Sequence, residues 1–273
     1  MLSLNSNTLS SAIARNLNDN ASQLQKVSAQ ISSGKRILTA ADDPAGMGIL
    51  SSLKIQQSSL TAVGKNLTSG ISLLDVSDRA LQTQQDILTQ MMDLATQASS
   101  DLLSDEQRDA LQSSFEELQS QLDTTADNAT LFGQNLLDSS AADLSIQSGI
   151  NSGDTYTLKA AASDAATLGV DAATIDLTDV ANSQAAMTAL TTASATVGTN
   201  QSTIGTMMTG LSKMLDNAKT MKNSLAESIS KIEDADVAEL SSQLTMLQSK
   251  QQLMSSTLGI TNQFPQYLLS LIR

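Results

Sequence analysis

The chain has 273 residues and a net charge of −13, with 2% aromatic residues, two prolines and no cysteine, histidine or tryptophan. That length can hold one or two domains, but a composition so poor in aromatics and so rich in Ser, Thr, Gln, Ala and Leu argues against an ordinary globular ball. Without imidazole or thiol, Ser-His-Asp and Cys-His catalysis and the usual zinc and haem sites are excluded, so no enzyme and no cofactor are expected.

The charge is uneven. Arg15, Lys26, Lys35 and Arg36 against Asp19 leave residues 1–41 at +3, Lys250 and Arg273 leave 240–273 at +2, and the residues between therefore carry −18. An acidic middle repels nucleic acid, so none is expected as a partner. No apolar run approaches the roughly 18 residues of a membrane span, so membrane insertion is not expected either. The first residues lack a basic flank followed by an apolar core, which predicts export without a cleaved signal peptide, if the protein leaves the cell.

Leu9, Ile13, Leu17, Leu24, Val27, Ile31 and Leu38 form a heptad-like stripe that predicts a helix stopped at Gly34. Asp43 is placed to cap the next helix, whose first turn accepts Pro44 because proline has no N–H to lose there. From 45 to 98, Leu53, Leu60, Leu67, Leu74, Leu81 and Leu88 recur at intervals of seven and Ala95 completes the series. That predicts one helix about 80 Å long. Its companion positions are mixed: Leu50, Ile71 and Met92 are apolar, but Gln57, Gly64, Asp78 and Gln85 are not. A bundle is therefore expected rather than a two-stranded coiled coil.

Ser104-Asp105-Glu106-Gln107 has the form of a capping box, opening a helix with Leu111, Phe115, Leu118 and Leu122 on one face. Leu144 and Ile146, then Tyr156 and Leu158, alternate with polar residues about the turn Asn151-Ser152-Gly153-Asp154, which predicts a β-hairpin. Residues 160–180, rich in Ala, Asp and Thr, are expected to be an exposed connection. Helix resumes with Val197, Ile204, Leu211, Ala218, Leu225 and Ile232, and the register then slips to Leu240, Leu247 and Met254, predicting a bend or domain boundary near Glu233-Asp234-Ala235-Asp236. The carboxylate groups Asp42-Asp43, Glu116-Glu117 and Glu233-Asp234-Asp236 are read as caps and solvated helix faces. The fold expected is mainly α: an elongated antiparallel helical bundle or coiled-coil rod with one small β-hairpin.

Specific motifs cluster towards the two ends of the chain. The N-terminal side carries Asn16-Leu17-Asn18, Ile31-Ser32-Ser33-Gly34, Ala40-Ala41-Asp42-Asp43-Pro44-Ala45-Gly46, Gly70-Ile71-Ser72-Leu73 and Asn128-Ala129-Thr130-Leu131-Phe132-Gly133. The C-terminal side carries Ile232-Glu233-Asp234-Ala235-Asp236 and the ending Asn262-Gln263-Phe264-Pro265-Gln266-Tyr267-Leu268-Leu269-Ser270-Leu271-Ile272-Arg273. In these motifs both ends of the chain resemble bacterial flagellins, and the resemblance implies a near-minimal, extracellular filament subunit for swimming motility, its terminal helices paired as an inner domain. The chain would divide into inner-tube helices at 1–41 and 235–273, rod helices at 42–139 and 191–234, and a hairpin with a short exposed connection at 140–190. The alternatives are a hook-filament junction protein, which shares the Ser-Gly-Lys-Arg and Asp-Asp-Pro pattern, and a long-helix scaffold protein.

Subunit packing is expected at Leu17, Leu24, Val27, Ile31, Val237, Leu240, Leu244, Leu247, Met254 and Leu258, stripes buried only between copies. Burial at about 1.5 to 3 kcal/mol for each large side chain would offset the entropy of ordering them. The implied partners are the chain itself in an open-ended helical homopolymer, flagellar cap and hook-filament junction proteins, an export chaperone and the flagellar type III export apparatus. The family's receptor-binding segment commonly reads Q-R-V-R-E-L-A-V, and the matching stretch here is Thr89-Gln90-Met91-Met92-Asp93-Leu94-Ala95-Thr96. Gln90, Met92, Leu94 and, on the next helix, Ser114 are the corresponding positions; both arginines are absent. Losing two charge-assisted donors, at about 2 kcal/mol or more, implies a weak Toll-like receptor 5 agonist at most.

Overall fold

Helix predominates in the computed structural model, which describes residues 8–271; the start of the chain, on which the signal-peptide expectation rests, and the last two residues of the C-terminal motif lie outside them. The elements follow as α1 (Thr8–Ser33), α2 (Pro44–Ala98), α3 (Asp105–Asn128), β1 (Thr130–Leu131), β2 (Gln134–Asn135), β3 (Leu144–Gln147), β4 (Thr155–Leu158), α4 (Ala165–Leu168), α5 (Val180–Glu233) and α6 (Val237–Leu271). Two compact units result, Met1–Gln56 with Ser224–Arg273, and Gln57–Asn223.

Local chemistry sets the boundaries. Gly34 takes a φ of 69°, the left-handed conformation that ends α1 without a Cβ clash. Asp43 Oδ1 accepts the Gly46 N–H at 2.8 Å, capping α2 just ahead of Pro44. The Ser104 side chain accepts from the Gln107 N–H while Gln107 Oε1 accepts from the Ser104 N–H, completing the capping box of α3. The register slip after Ile232 corresponds to a true interruption, with α5 closing at Glu233 and α6 opening at Val237.

In the Gln57–Asn223 unit, α2 and α5 run antiparallel: Gln85 Nε2 donates to Ser194 Oγ at 2.6 Å, and Gly70 and Gly64 face Leu211 and Leu215 respectively. Leu60, Leu67, Leu74, Leu81, Leu88 and Ala95 are all buried, as are Val197, Ile204, Leu211 and Ala218. The second buried seam of α2 is not the mixed set at Gln57, Gly64, Asp78 and Gln85. It lies three residues beyond each leucine, at Val63, Gly70, Ser77, Gln84, Met91 and Ala98. Small and amide side chains fill it because other elements approach closely there; an added Cβ at Gly70 would lie 2.5 Å from Ile146 Cδ1 and 3.1 Å from Leu211 Cδ1.

Strands β3 and β4 pair antiparallel with Leu144 opposite Leu158 and Ile146 opposite Tyr156, the hairpin the alternation predicts. A second, two-residue ladder joins Thr130 to Asn135 and Leu131 to Gln134. Its turn holds Phe132 at φ 55° and Gly133 at φ 75°, the positive values a tight hairpin turn requires at both central residues.

The 160–180 stretch corrects the expectation of an exposed connection. Ala161, Ser163, Ala165, Leu168, Val170, Ile175 and Leu177 are buried. Irregular backbone can be buried only when its polar groups find partners, and side chains supply them: Gln84 Nε2 donates to Ser163 O at 3.0 Å, Gln119 Nε2 to Val170 O at 2.7 Å, and Gln112 Oε1 accepts from the Leu177 N–H at 2.6 Å.

Candidate assembly and recognition surfaces

In the unit formed by the chain ends, α1 and α6 pair antiparallel, since Gly34 O accepts the Ala235 N–H near one end while Asn20 Nδ2 donates to Leu247 O at 3.0 Å further along. The seam alternates by four and three residues. Ile13, Leu17, Asn20, Leu24, Val27 and Ile31 face Leu240, Leu244, Leu247, Met254 and Leu258; Val27, Leu247 and Asn20 are buried, and the others are half-buried. This corrects the expectation that these stripes are buried only between copies, because much of their apolar surface already lies against the other end of the same chain. Val237 departs from the set and is exposed.

Two features escape the sequence reading. Asn20, only 2% exposed, is a polar residue inside the seam, where a single amide fixes register at some cost in stability. Met246, Leu253 and Ile260, more than 60% exposed and seven apart, make a second apolar stripe on α6. Their interval is legible in the sequence, but the stronger Leu240, Leu247 and Met254 series masks it.

Where the two ends of the chain meet the longer helices, a clasp forms. The backbones of Lys35 and Asp234 form an isolated antiparallel β-bridge, the Arg36 N–H donates to Glu233 O at 2.6 Å, and Arg36 Nη2 donates to Ile232 O at 2.9 Å. Glu233 is 7% exposed and holds Lys35 at 2.7 Å on Oε1 and Lys54 at 2.9 Å on Oε2. Hydrogen bonds from Lys35 and then Lys54 pull the Glu233 carboxyl below its ordinary pKa against the opposing effect of burial, and the Glu233 carboxylate raises Lys35. Glu233 therefore corrects the reading of its cluster as caps and solvated faces; Asp236 alone caps, accepting the Ala238 N–H at 2.9 Å. Asp42 takes Lys26 Nζ at 2.6 Å and the Thr39 N–H at 2.9 Å, which hold its carboxyl well below the usual carboxylate range.

In the other unit, Gln90 and Leu94 of α2 and Ser114 of α3 line one groove of about 760 Å³ with Asp93, Glu117 and Leu118. Met92 is not among its lining residues. The charged groups in the groove are Asp93 and Glu117, and at the two positions where the family's segment carries arginine stand Gln90, which lines the groove, and Met92, which does not.

Long helices, paired chain ends and an apolar heptad stripe left more than 60% exposed describe a helical structural protein with a surface suited to protein contact. Residues 4–142 match the bacterial flagellin N-terminal helical region and residues 187–272 the bacterial flagellin C-terminal helical region. A flagellin of Halalkalibacterium halodurans is 30% identical over 259 residues, covering 95% of each chain. Flagellin FljM of Caulobacter vibrioides is 31% identical over 271 residues, covering 99% of this chain and 98% of the relative. The crystal structure of Bacillus cereus flagellin shares 31% identity with a TM-score of 0.51, covering 56% of this chain and 88% of its own. A flagellar hook-associated protein from Vibrio parahaemolyticus, at 13% identity and a TM-score of 0.59 over 71% of this chain and all of its own, is alike in fold alone.

The chain belongs to the bacterial flagellin family and is a structural subunit of the extracellular flagellar filament. Among the described residues, no helix is long and apolar enough to cross a membrane.

Proposed function

We propose that the paired ends of the chain are the assembly element, with Met246, Leu253 and Ile260 carrying the contact between copies. The supporting observation is the exposure of that stripe: three large side chains at one heptad position of α6 stay more than 60% exposed among the described residues. Burying them on assembly contributes about 1.5 to 3 kcal/mol each. Leu17, Leu24, Ile31, Leu240, Leu244, Met254 and Leu258, half-buried in the single chain, complete their burial in the polymer. Residues 1–41 and 235–273 then have the inner-tube role, 42–139 and 191–234 the rod role, and the 140–190 stretch packs against the rod. Val237, exposed on the first turn of α6, packs between copies as well.

The growing filament end meets cap proteins and its base meets hook-filament junction proteins, while an export chaperone and the flagellar type III export apparatus handle the chain before assembly. The groove of Gln90, Leu94 and Ser114 makes a poor Toll-like receptor 5 ligand because Gln90 and Met92 supply no charge-assisted donor at the two arginine positions.

Seeded assembly tests the reading. Protein dissociated by acid and returned to neutral pH with filament fragments is followed by light scattering and electron microscopy. Removal of residues 1–38 or 240–273 is expected to abolish growth while circular dichroism still reports a helical, soluble protein. Truncated protein that grows normal filaments from the seeds would refute the assignment of assembly to the chain ends.

A further inference from the structure

The Gln57–Asn223 unit carries a second, separate pair of complementary surfaces. Between α2 and α5 lies a groove of about 550 Å³ with an apolar floor of Leu60, Gly64, Leu215 and Ala218. Gly64 opens it by presenting no side chain at a position facing Leu215. Lys65, Lys219 and Lys222 stand around it, a cluster of cations in a chain of net charge −13. Lys219 reaches exposed Asp216 at 3.2 Å, while among the described residues no carboxylate lies within ion-pair distance of Lys65 or Lys222. Their aliphatic stems extend the apolar lining and leave the ammonium groups at its rim.

The complementary shape is the loop between α2 and α3. Leu102 is 95% exposed, the highest value among the large exposed apolar side chains described, and Asp101, Asp105 and Glu106 flank it, all exposed. The loop is held rather than loose: buried Arg108 donates to Ala98 O and, at 3.4 Å, to Ser100 O, and the capping box fixes Ser104. An apolar knob on a pre-ordered loop forfeits little conformational entropy when it docks.

We propose that Leu102 of one copy seats in the Leu60–Gly64–Leu215–Ala218 groove of a second copy, with Asp101, Asp105 and Glu106 meeting Lys65, Lys219 and Lys222. One chain cannot make this contact with itself, because Gly64 and Ala98 are separated by about 50 Å along α2. The two surfaces are different, so each copy offers a free knob and a free groove. The contact is heterologous, and repeated with a rotation that does not close it builds an open filament. It rests on the filament role but engages residues far from the chain ends in sequence.

The test uses the absence of cysteine in the natural sequence. Full-length protein carrying Gly64→Cys and Leu102→Cys is grown on wild-type seeds and oxidised; a Cβ at Gly64 has ordinary contact, 3.7 Å from Leu215 Cδ1. The expected result is a ladder of covalent dimers, trimers and longer chains on non-reducing gels, absent for either single variant, which can form no more than dimers. Filaments that grow normally, with both thiols reactive towards a small reagent and no ladder, would overturn the contact. Charge variants give a second readout that does not depend on the cysteines. Lys65→Glu with Lys222→Glu is expected to raise the critical concentration on the order of tenfold, with Asp101→Lys and Asp105→Lys in the same chain restoring most of it. Failure of that restoration also counts against the proposal. Wild-type protein run alongside separates the two ideas: no wild-type growth refutes the filament role, whereas growth without ladder or rescue refutes this contact alone.

Discussion

Replacing Glu233 by Gln keeps the shape of the side chain but removes the charge that Lys35 and Lys54 share. Glu233 is 7% exposed, whereas the two lysine side chains are about half exposed, at 48% and 47%. Breaking a fully buried ion pair costs several kcal/mol, but these lysines can turn to water, so the loss is about 1 to 2 kcal/mol at neutral pH. The pH dependence follows from the direction of the shifts. The folded Glu233 carboxyl lies below its unfolded value, so its contribution is complete above the ordinary carboxylate range and is lost as pH falls through the folded pKa. Lys35 is raised, so its contribution holds below the ordinary lysine range and is lost as pH rises through its folded pKa. Urea unfolding of wild type and Glu233→Gln, followed by circular dichroism from pH 7 down to pH 3, is the assay. The gap in stability between the two proteins is expected at pH 7 and disappears on acidification. Equal stability at pH 7, or a gap independent of pH, would refute the account of the clasp.

The cap of α2 yields a coupled pair. Asp43→Ala is expected to cost about 1 kcal/mol; Gly46→Ala lowers the thermal midpoint in wild type, where its methyl would lie 2.5 Å from Asp43 Oδ2, and lowers it less once Asp43 is already Ala, where only Ile37 Cδ1 at 3.0 Å still crowds it. Leu81→Ala, at a fully buried position, is expected to lower stability by about 2 to 5 kcal/mol in urea, while Leu102→Ala, at a 95% exposed one, changes it by less than about 0.5 kcal/mol. A receptor reporter assay is expected to show a weak response to this protein, and Met91 is a poor place to install an arginine because it is fully buried; Met92→Arg is the variant expected to raise the response, and its failure to do so would remove Met92 from the recognition surface.

Much of the fold was legible because its signals are local. A leucine every seven residues, Asp43 before Pro44, the Ser104 to Gln107 box and the alternation across Asn151–Asp154 each depend on backbone geometry within a few residues, and each appears where that geometry predicts. The resemblance at the two ends of the chain pointed to the family on motifs that are also mostly local. What the sequence could not locate are contacts between residues far apart along the chain. Gln84, Gln112 and Gln119 look like solvated helix positions, yet their amides bond the backbone of the 160–180 stretch and allow an apparently exposed connection to be buried.

Glu233 likewise reads as one of several surface carboxylates until the fold brings Lys35 and Lys54 to its two oxygens. The sequence by itself determined which segments are helical, where they stop and which face of each is apolar, because those properties follow from φ, ψ and side-chain spacing. Only the tertiary structure decided that α1 and α6 cover one another's seams, that Met246, Leu253 and Ile260 remain bare, and that a lysine-rimmed groove opens beside Gly64. Which apolar side chains stay uncovered depends on what packs against them, and no periodicity within one helix specifies its neighbour.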